Sequence, residues 1–163
     1  MKVQYLFSYK NKVGSKLIRW ASRWENTGLE NIPSHIAILI NNQWVAESTL
    51  FTGVRWVPYE AWKKNNFETH KIDCTLVYED KRAAFQRTMD KAAELYEKKY
   101  DWKAIAYFGI CFLGNILFKK PMPETNPWQD PDKFICTEFV GYLAMEDYSM
   151  KTPAALCKDF GGE

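Results

Sequence analysis

Three side chains in this sequence have the chemistry of a nucleophile, a base and an orienting carboxylate: Cys136, His35 and Glu47. A thiolate attacks a carbonyl far better than a thiol does, so a catalytic cysteine needs a neighbouring imidazole, a helix N-terminus, or both. Cys136 lies in Phe134-Ile135-Cys136-Thr137-Glu138-Phe139-Val140. A helix beginning near Asp132 to Phe134, with Asp132 as its N-cap, would place the sulfur in the first turn among free backbone N–H groups. Those donors could also bind an oxyanion. His35 opens the apolar run His35-Ile36-Ala37-Ile38-Leu39-Ile40, whereas the other histidine, His70, stands in the charged Glu68-Thr69-His70-Lys71. His35 is therefore the better base. A base needs a third group to fix its tautomer, and Glu47, inside Trp44-Val45-Ala46-Glu47-Ser48-Thr49, is the candidate. Each residue also has an ordinary reading. Cys136 beside Phe and Ile could be a small buried thiol, His35 a structural residue at a strand end, and Glu47 an exposed edge carboxylate.

The elements that must position these groups are legible from periodicity. Val3 to Tyr9 reads as a strand, and Ser15 to Trp24 as a short helix with Leu17, Trp20, Ala21 and Trp24 on one face. His35 to Ile40 and Trp44 to Thr49, joined through Asn41-Asn42-Gln43, read as a hairpin that carries both His35 and Glu47. A turn at the two asparagines puts a residue near position 48 opposite His35, so Glu47 or Ser48 is adjacent, and a one-residue slip reverses the facing. Gly53 precedes a strand over Val54 to Val57, and Thr69 to Val77 reads as another. Asp80 to Lys99 is patterned as a charged amphipathic helix with Phe85, Met89, Ala92, Ala93 and Tyr96 as its buried stripe. Trp102 to Phe118 is an apolar helix, taken as buried. Lys119 to Asp132 carries four prolines and is a loop delivering the chain to Cys136. Phe134 to Met145 reads as a helix with Ile135, Phe139, Leu143 and Tyr142 inward. The tail from Asp147 reads as weakly structured.

Composition narrows the chemistry. The chain has 163 residues, 47% hydrophobic, enough for one well-buried core, and residues 1–163 read as a single domain. The 22 basic and 20 acidic residues are interspersed and leave a formal charge of +2, which does not point to nucleic acid. Neither histidine sits in a zinc-type spacing and the four cysteines form no Cys-x-x-Cys pair, so no metal or cofactor is called for. No Gly-rich phosphate loop and no serine nucleophile elbow is present. The N-terminal residues lack the pattern of a secretory signal, so free thiols and a cytoplasmic location are expected. Ala104 to Phe118 is shorter than the roughly 20 residues that span a bilayer. Contact with a membrane surface stays open from the sequence, as does the oligomeric state.

Ser34-His35-Ile36-Ala37-Ile38, then Val45-Ala46-Glu47-Ser48, then Phe134-Ile135-Cys136-Thr137-Glu138-Phe139-Val140 together resemble the circularly permuted branch of the NlpC-type papain-like superfamily, with the YiiX-like hydrolases nearest in pattern. Tyr100-Asp101-Trp102 before an apolar segment is similar to that group's approach to the cysteine helix, and the likeness runs over about residues 3 to 146. Histidine precedes cysteine, the reverse of ordinary papain-like enzymes. Thr137 stands where the pattern often has serine. The resemblance implies an α+β, papain-like fold in which a small antiparallel sheet carries the base and a helix carries the nucleophile at its N-terminus. It implies Cys136 as nucleophile, His35 as general base and Glu47 as the orienting residue.

The activity implied is thiol acyl chemistry: a cysteine hydrolase of amidase or peptidase type, acting on an amide of a peptide such as cell-wall peptide. The lecithin:retinol acyltransferase-like relatives add a lipid acyl hydrolase or acyltransferase as the alternative. A third reading is a binding module that keeps the fold without turnover.

Overall fold

Alternation of side chains in extended segments builds the scaffold. A computed structural model describes residues 2–25, 27–73 and 81–162. Five strands, β1 (Val3–Tyr9), β2 (His35–Ile40), β3 (Trp44–Thr49), β4 (Gly53–Pro58) and β5 (Phe67–Asp73), form one antiparallel sheet in the order β4-β3-β2-β1-β5. The chain is thus α+β with a small antiparallel sheet. Residues 74–77 of the strand read from the sequence over Thr69 to Val77, Cys74 among them, lie outside the described residues.

The apolar run of β2 is buried on both faces. Ile36, Ile38 and Ile40 join Tyr5, Phe7 and Ala46 in the main core, which is closed by helices α3 (Lys81–Glu94), α5 (Cys136–Ala144) and α6 (Pro153–Asp159). Ala37 and Leu39 join Leu6 and Val45 on the other face, under Tyr59 and Trp62 of the short helix α2 (Tyr59–Lys63). The β2–β3 turn places Asn41 and Asn42 at φ 51° and 56°, with the Gln43 N–H donating to the Ile40 carbonyl. This is a type I′ geometry, whose twist matches that of the paired strands.

Several elements depart from the sequence expectations. The first helix, α1, runs Val13–Ser22 and passes into a 3-10 turn, Arg23–Glu25. Its stripe does not enter the core: Leu17, Trp20 and Trp24 are exposed. Helix α3 ends at Glu94, so Tyr96 lies beyond it and is exposed, Ala93 is exposed, and Leu95 takes the buried place beside Ala92. Helix α4 (Trp102–Phe118) has the expected extent, capped by Asp101, but only Ala104 and Phe112 are buried and Ile110, Leu113, Leu117 and Phe118 face outward.

Helix α5 starts at Cys136, two residues later than the pattern suggested, with Ile135 as N-cap, and Tyr142 is exposed. Asp132 is not the cap. It is exposed and pairs with Lys98. The tail is ordered: Thr152 caps α6 by accepting from the Ala155 N–H, and Ala154, Leu156 and Cys157 enter the core. Pro153 at the first helical position fits this start. Among the described residues, no helix is long and apolar enough to cross a membrane.

Candidate active site

The hairpin register brings His35 and Glu47 together. Ile38 pairs with Ala46 and Leu39 with Val45, so Glu47, one step further along the ladder from Ala46, lies opposite Ala37 and diagonal to His35 on the same face. Diagonal neighbours on one face of a ladder are within reach of long side chains. The His35 Nε2 to Glu47 Oε2 distance is 2.7 Å. Glu47 is no edge carboxylate: its exposure is 0%.

A buried carboxylate persists as an anion only if its lone pairs are taken up. Here they are. Arg55, directly across the β3–β4 ladder from Glu47, donates Nε at 2.9 Å and Nη2 at 2.6 Å to Oε1. Trp62 of α2 donates Nε1 at 2.9 Å to Oε2, the oxygen that also faces His35. Burial pushes the Glu47 carboxyl up, but His35, Trp62 and Arg55 outweigh it and hold it well below the usual carboxylate range. The anion is thus fixed, and it faces an imidazole whose side chain is 13% exposed.

With Nε2 given to Glu47, Nδ1 is the ring nitrogen left for the thiol. Burial pulls the His35 imidazolium down, while hydrogen bonding to Cys136 and Glu47 and the charge of both partners raise it, leaving its pKa at about 9. His35 thus feels Cys136 although a hundred positions separate them in sequence. Cys136 is half-buried and is the first residue of α5, which packs against β2 and β3. Two tethers set its position. The Ser48 hydroxyl donates to the Phe134 carbonyl at 2.5 Å, and the Phe134 N–H donates to the Lys99 carbonyl at 3.0 Å. Ser48 thus faces the cysteine helix while its neighbour Glu47 faces Arg55 and Trp62, a direct use of strand alternation.

The N-terminus of α5 is configured to receive negative charge. Ile135 offers no side-chain acceptor, so no cap competes for the N–H groups of Cys136 and Thr137. Glu138 instead reaches back and accepts from the Ile135 N–H at 2.9 Å. Burial raises the Glu138 carboxyl to about 7, against the pull of that N–H. Asp101 and Asn126 stitch the proline-rich loop to the start of α4: Asp101 accepts from the Ala104 and Asp130 N–H groups, and Asn126 donates to the Ala104 carbonyl.

Sequence reasoning gave no individual role to four residues here. Arg55 and Trp62 lock Glu47, and only the β3–β4 register and the packing of α2 reveal them. Tyr100 lines a groove of about 460 Å³ together with Phe51, Thr52, Trp102 and Lys133. Its phenol is pushed up by burial and then by the charges of Cys136, Glu138 and Asp101. Lys10 lies just past the end of β1; burial lowers its pKa, while it also feels the charges of Glu47, Arg55 and Cys136. His70 sits on β5 opposite Phe7, away from this set. No family model, curated protein or solved structure matches this chain.

Proposed function

We propose that the protein is a cysteine hydrolase with a papain-like, permuted NlpC-type arrangement, acting on an amide carbonyl through Cys136, His35 and Glu47. The observation that carries this reading is the His35 ring, hydrogen-bonded through Nε2 to a buried, fully engaged Glu47 while its pKa responds to Cys136 at a helix N-terminus. His35 takes the Sγ proton and the sulfur attacks the carbonyl carbon. The developing oxyanion is met by backbone N–H groups at the start of α5. Collapse breaks the C–N bond as the imidazolium returns its proton to the departing amine, leaving a thioester on Cys136. Water, deprotonated by His35, then attacks the thioester and releases a carboxylic acid and the thiol. Glu47 holds the ring in the orientation and tautomer both steps need.

The site would take its substrate along the groove beside Tyr100. Phe51 and Trp102 at that groove favour a second version of the same chemistry, in which the acyl group is that of a lipid. Both versions make the same first test. Purified protein is assayed against a panel of peptide amides, acyl esters and phospholipids, and a mass increase on Cys136 that hydroxylamine removes identifies the thioester. Turnover that vanishes in Cys136→Ala supports the reading. Turnover that persists in Cys136→Ala overturns Cys136 as the nucleophile, and wild-type inactivity across the panel without any thioester overturns the hydrolase reading and leaves a noncatalytic module.

A further inference from the structure

Helix α1 presents an apolar stripe to solvent where an ordinary surface helix presents its polar face. Val13, Leu17, Trp20 and Trp24 are 75%, 60%, 51% and 61% exposed. Their spacing of four, three and four residues keeps them on one narrow strip of the helix, and the strip continues into the 3-10 turn, where Trp24 meets Trp20 edge-on at 6.2 Å. The strip is not a frayed end. Ser15 is hydrogen-bonded to Ser34 at 2.5 Å and accepts from the Lys10 N–H at 2.9 Å, Ser22 is fully buried, and Glu25 is tied to Thr152 beside α6. A hydrogen-bonded scaffold thus holds four apolar side chains outward.

The charge around the strip identifies what it fits. Lys12, Lys16 and Arg23 are exposed along one border of the strip, and residues 1–24 contain no Asp or Glu. Arg19 lies over the Tyr9 ring at 4.0 Å and completes the basic collar. Protein–protein interfaces are depleted in lysine, whereas a helix lying in a lipid interface uses Trp and Leu on one side and Lys or Arg on the other. Ten helical residues rise only about 15 Å, far short of a span, so such a helix lies in the plane of the bilayer surface.

We propose that α1 docks the protein on anionic phospholipid bilayers, burying Val13, Leu17, Trp20 and Trp24 at the level of the acyl boundary with Lys12, Lys16 and Arg23 among the headgroup phosphates. The first turn of the same helix holds Ser15, bonded to the residue preceding His35, so docking would bring the catalytic hairpin to the lipid surface. Binding does not depend on the chemistry of Cys136, and Cys136→Ala is expected to bind like the wild type, which separates failure of this inference from failure of the hydrolase reading.

The test is flotation of the full chain with vesicles of phosphatidylcholine alone and of phosphatidylcholine mixed with phosphatidylglycerol. The protein is expected to float with the mixed vesicles only and to be released by high salt. Leu17→Glu combined with Trp20→Glu is expected to weaken binding at least about tenfold, because it removes two of the four apolar anchors and adds two charges that the anionic surface repels. Should that variant fail to fold by circular dichroism, Lys12→Glu with Lys16→Glu, both on exposed positions, decides in its place and is expected to abolish the preference for anionic vesicles. Leu113→Glu with Leu117→Glu on α4 serves as the comparison. Wild-type protein that ignores both vesicles or floats equally with each, α1 variants that bind unchanged, whatever the α4 variant does, or a sedimentation-defined dimer that the α1 variants dissociate, would each overturn the proposal.

Discussion

Replacing Glu47 by Gln changes no heavy-atom count in the site, yet it should disable it. Every donor around Glu47 is fixed: Arg55 offers two N–H groups to Oε1, Trp62 one to Oε2, and Trp62 Nε1 can only donate. If the new amide oxygen faces Arg55, the NH2 confronts the Trp62 N–H; if it faces Trp62, the NH2 confronts the guanidinium. In the first case His35 Nε2 must also turn acceptor, moving the ring proton to Nδ1, where Cys136 needs a lone pair. Breaking a buried charge pair in this way costs about 3–5 kcal/mol, measurable by urea unfolding. The second readout is the His35 titration. With the carboxylate gone, burial is left opposed only by Cys136, so the pKa should fall from about 9 towards or below 6.5. The sign of the linked stability follows. A histidine whose folded pKa is raised contributes stability that is full below 6.5 and is lost as pH rises through about 9, at most about 3 kcal/mol. In Glu47→Gln that loss should vanish. Proton NMR suits the measurement because the chain has two histidines, and His70→Asn assigns the pair. A Glu47→Gln protein in which His35 still titrates near 9 would refute the argument that Glu47 holds the imidazolium.

Three more perturbations test other parts of the structure. Ser48→Ala removes the tether to the Phe134 carbonyl and should cost about 1–3 kcal/mol in unfolding free energy while slowing alkylation of Cys136; unchanged values in both would show that the start of α5 is held elsewhere. Gly53→Ala places a Cβ 2.0 Å from the Lys98 carbonyl oxygen at φ +65°, so the melting temperature should drop by several degrees, and a wild-type melting curve would refute the close approach. Glu138, raised to about 7, makes folding less favourable as pH rises from 4.5 through 7, by at most about 3 kcal/mol; Glu138→Gln should flatten that part of the stability–pH curve, seen by urea unfolding across the window, and an unaltered slope would place its cause in another group.

What the sequence disclosed and what it hid divide along the range of the forces involved. The hairpin was legible because its determinants are local: two asparagines able to take positive φ, and a period of two that keeps His35 and Glu47 on one face. The cysteine at a helix start was legible for a similar reason, although its boundary was not. Asp132 has the chemistry of a cap, but tethers from Ser48 and Lys99 keep the chain extended through Phe134, and Glu138 closes the helix start instead. Arg55 and Trp62 carry no local mark of their role, since only the ladder and the packing of α2 bring them onto Glu47. The stripe on α1 was legible as an apolar face, but helical periodicity does not show whether anything covers it. The C-terminal segment looked weak for want of a long periodic run, whereas a Thr152 cap and burial of Leu156 and Cys157 suffice to order it.

The central claim is that imidazole and sulfur act on one another. Its most direct test is the rate of Cys136 alkylation by iodoacetamide as a function of pH, read by peptide mass spectrometry in wild type and in His35→Ala. A functioning pair should give fast labelling that extends well below the range of an ordinary thiol, near about 8.5, and that reverts to that range in the variant. Identical profiles in the two proteins, both those of an ordinary thiol, would contradict the pairing and with it the proposed chemistry.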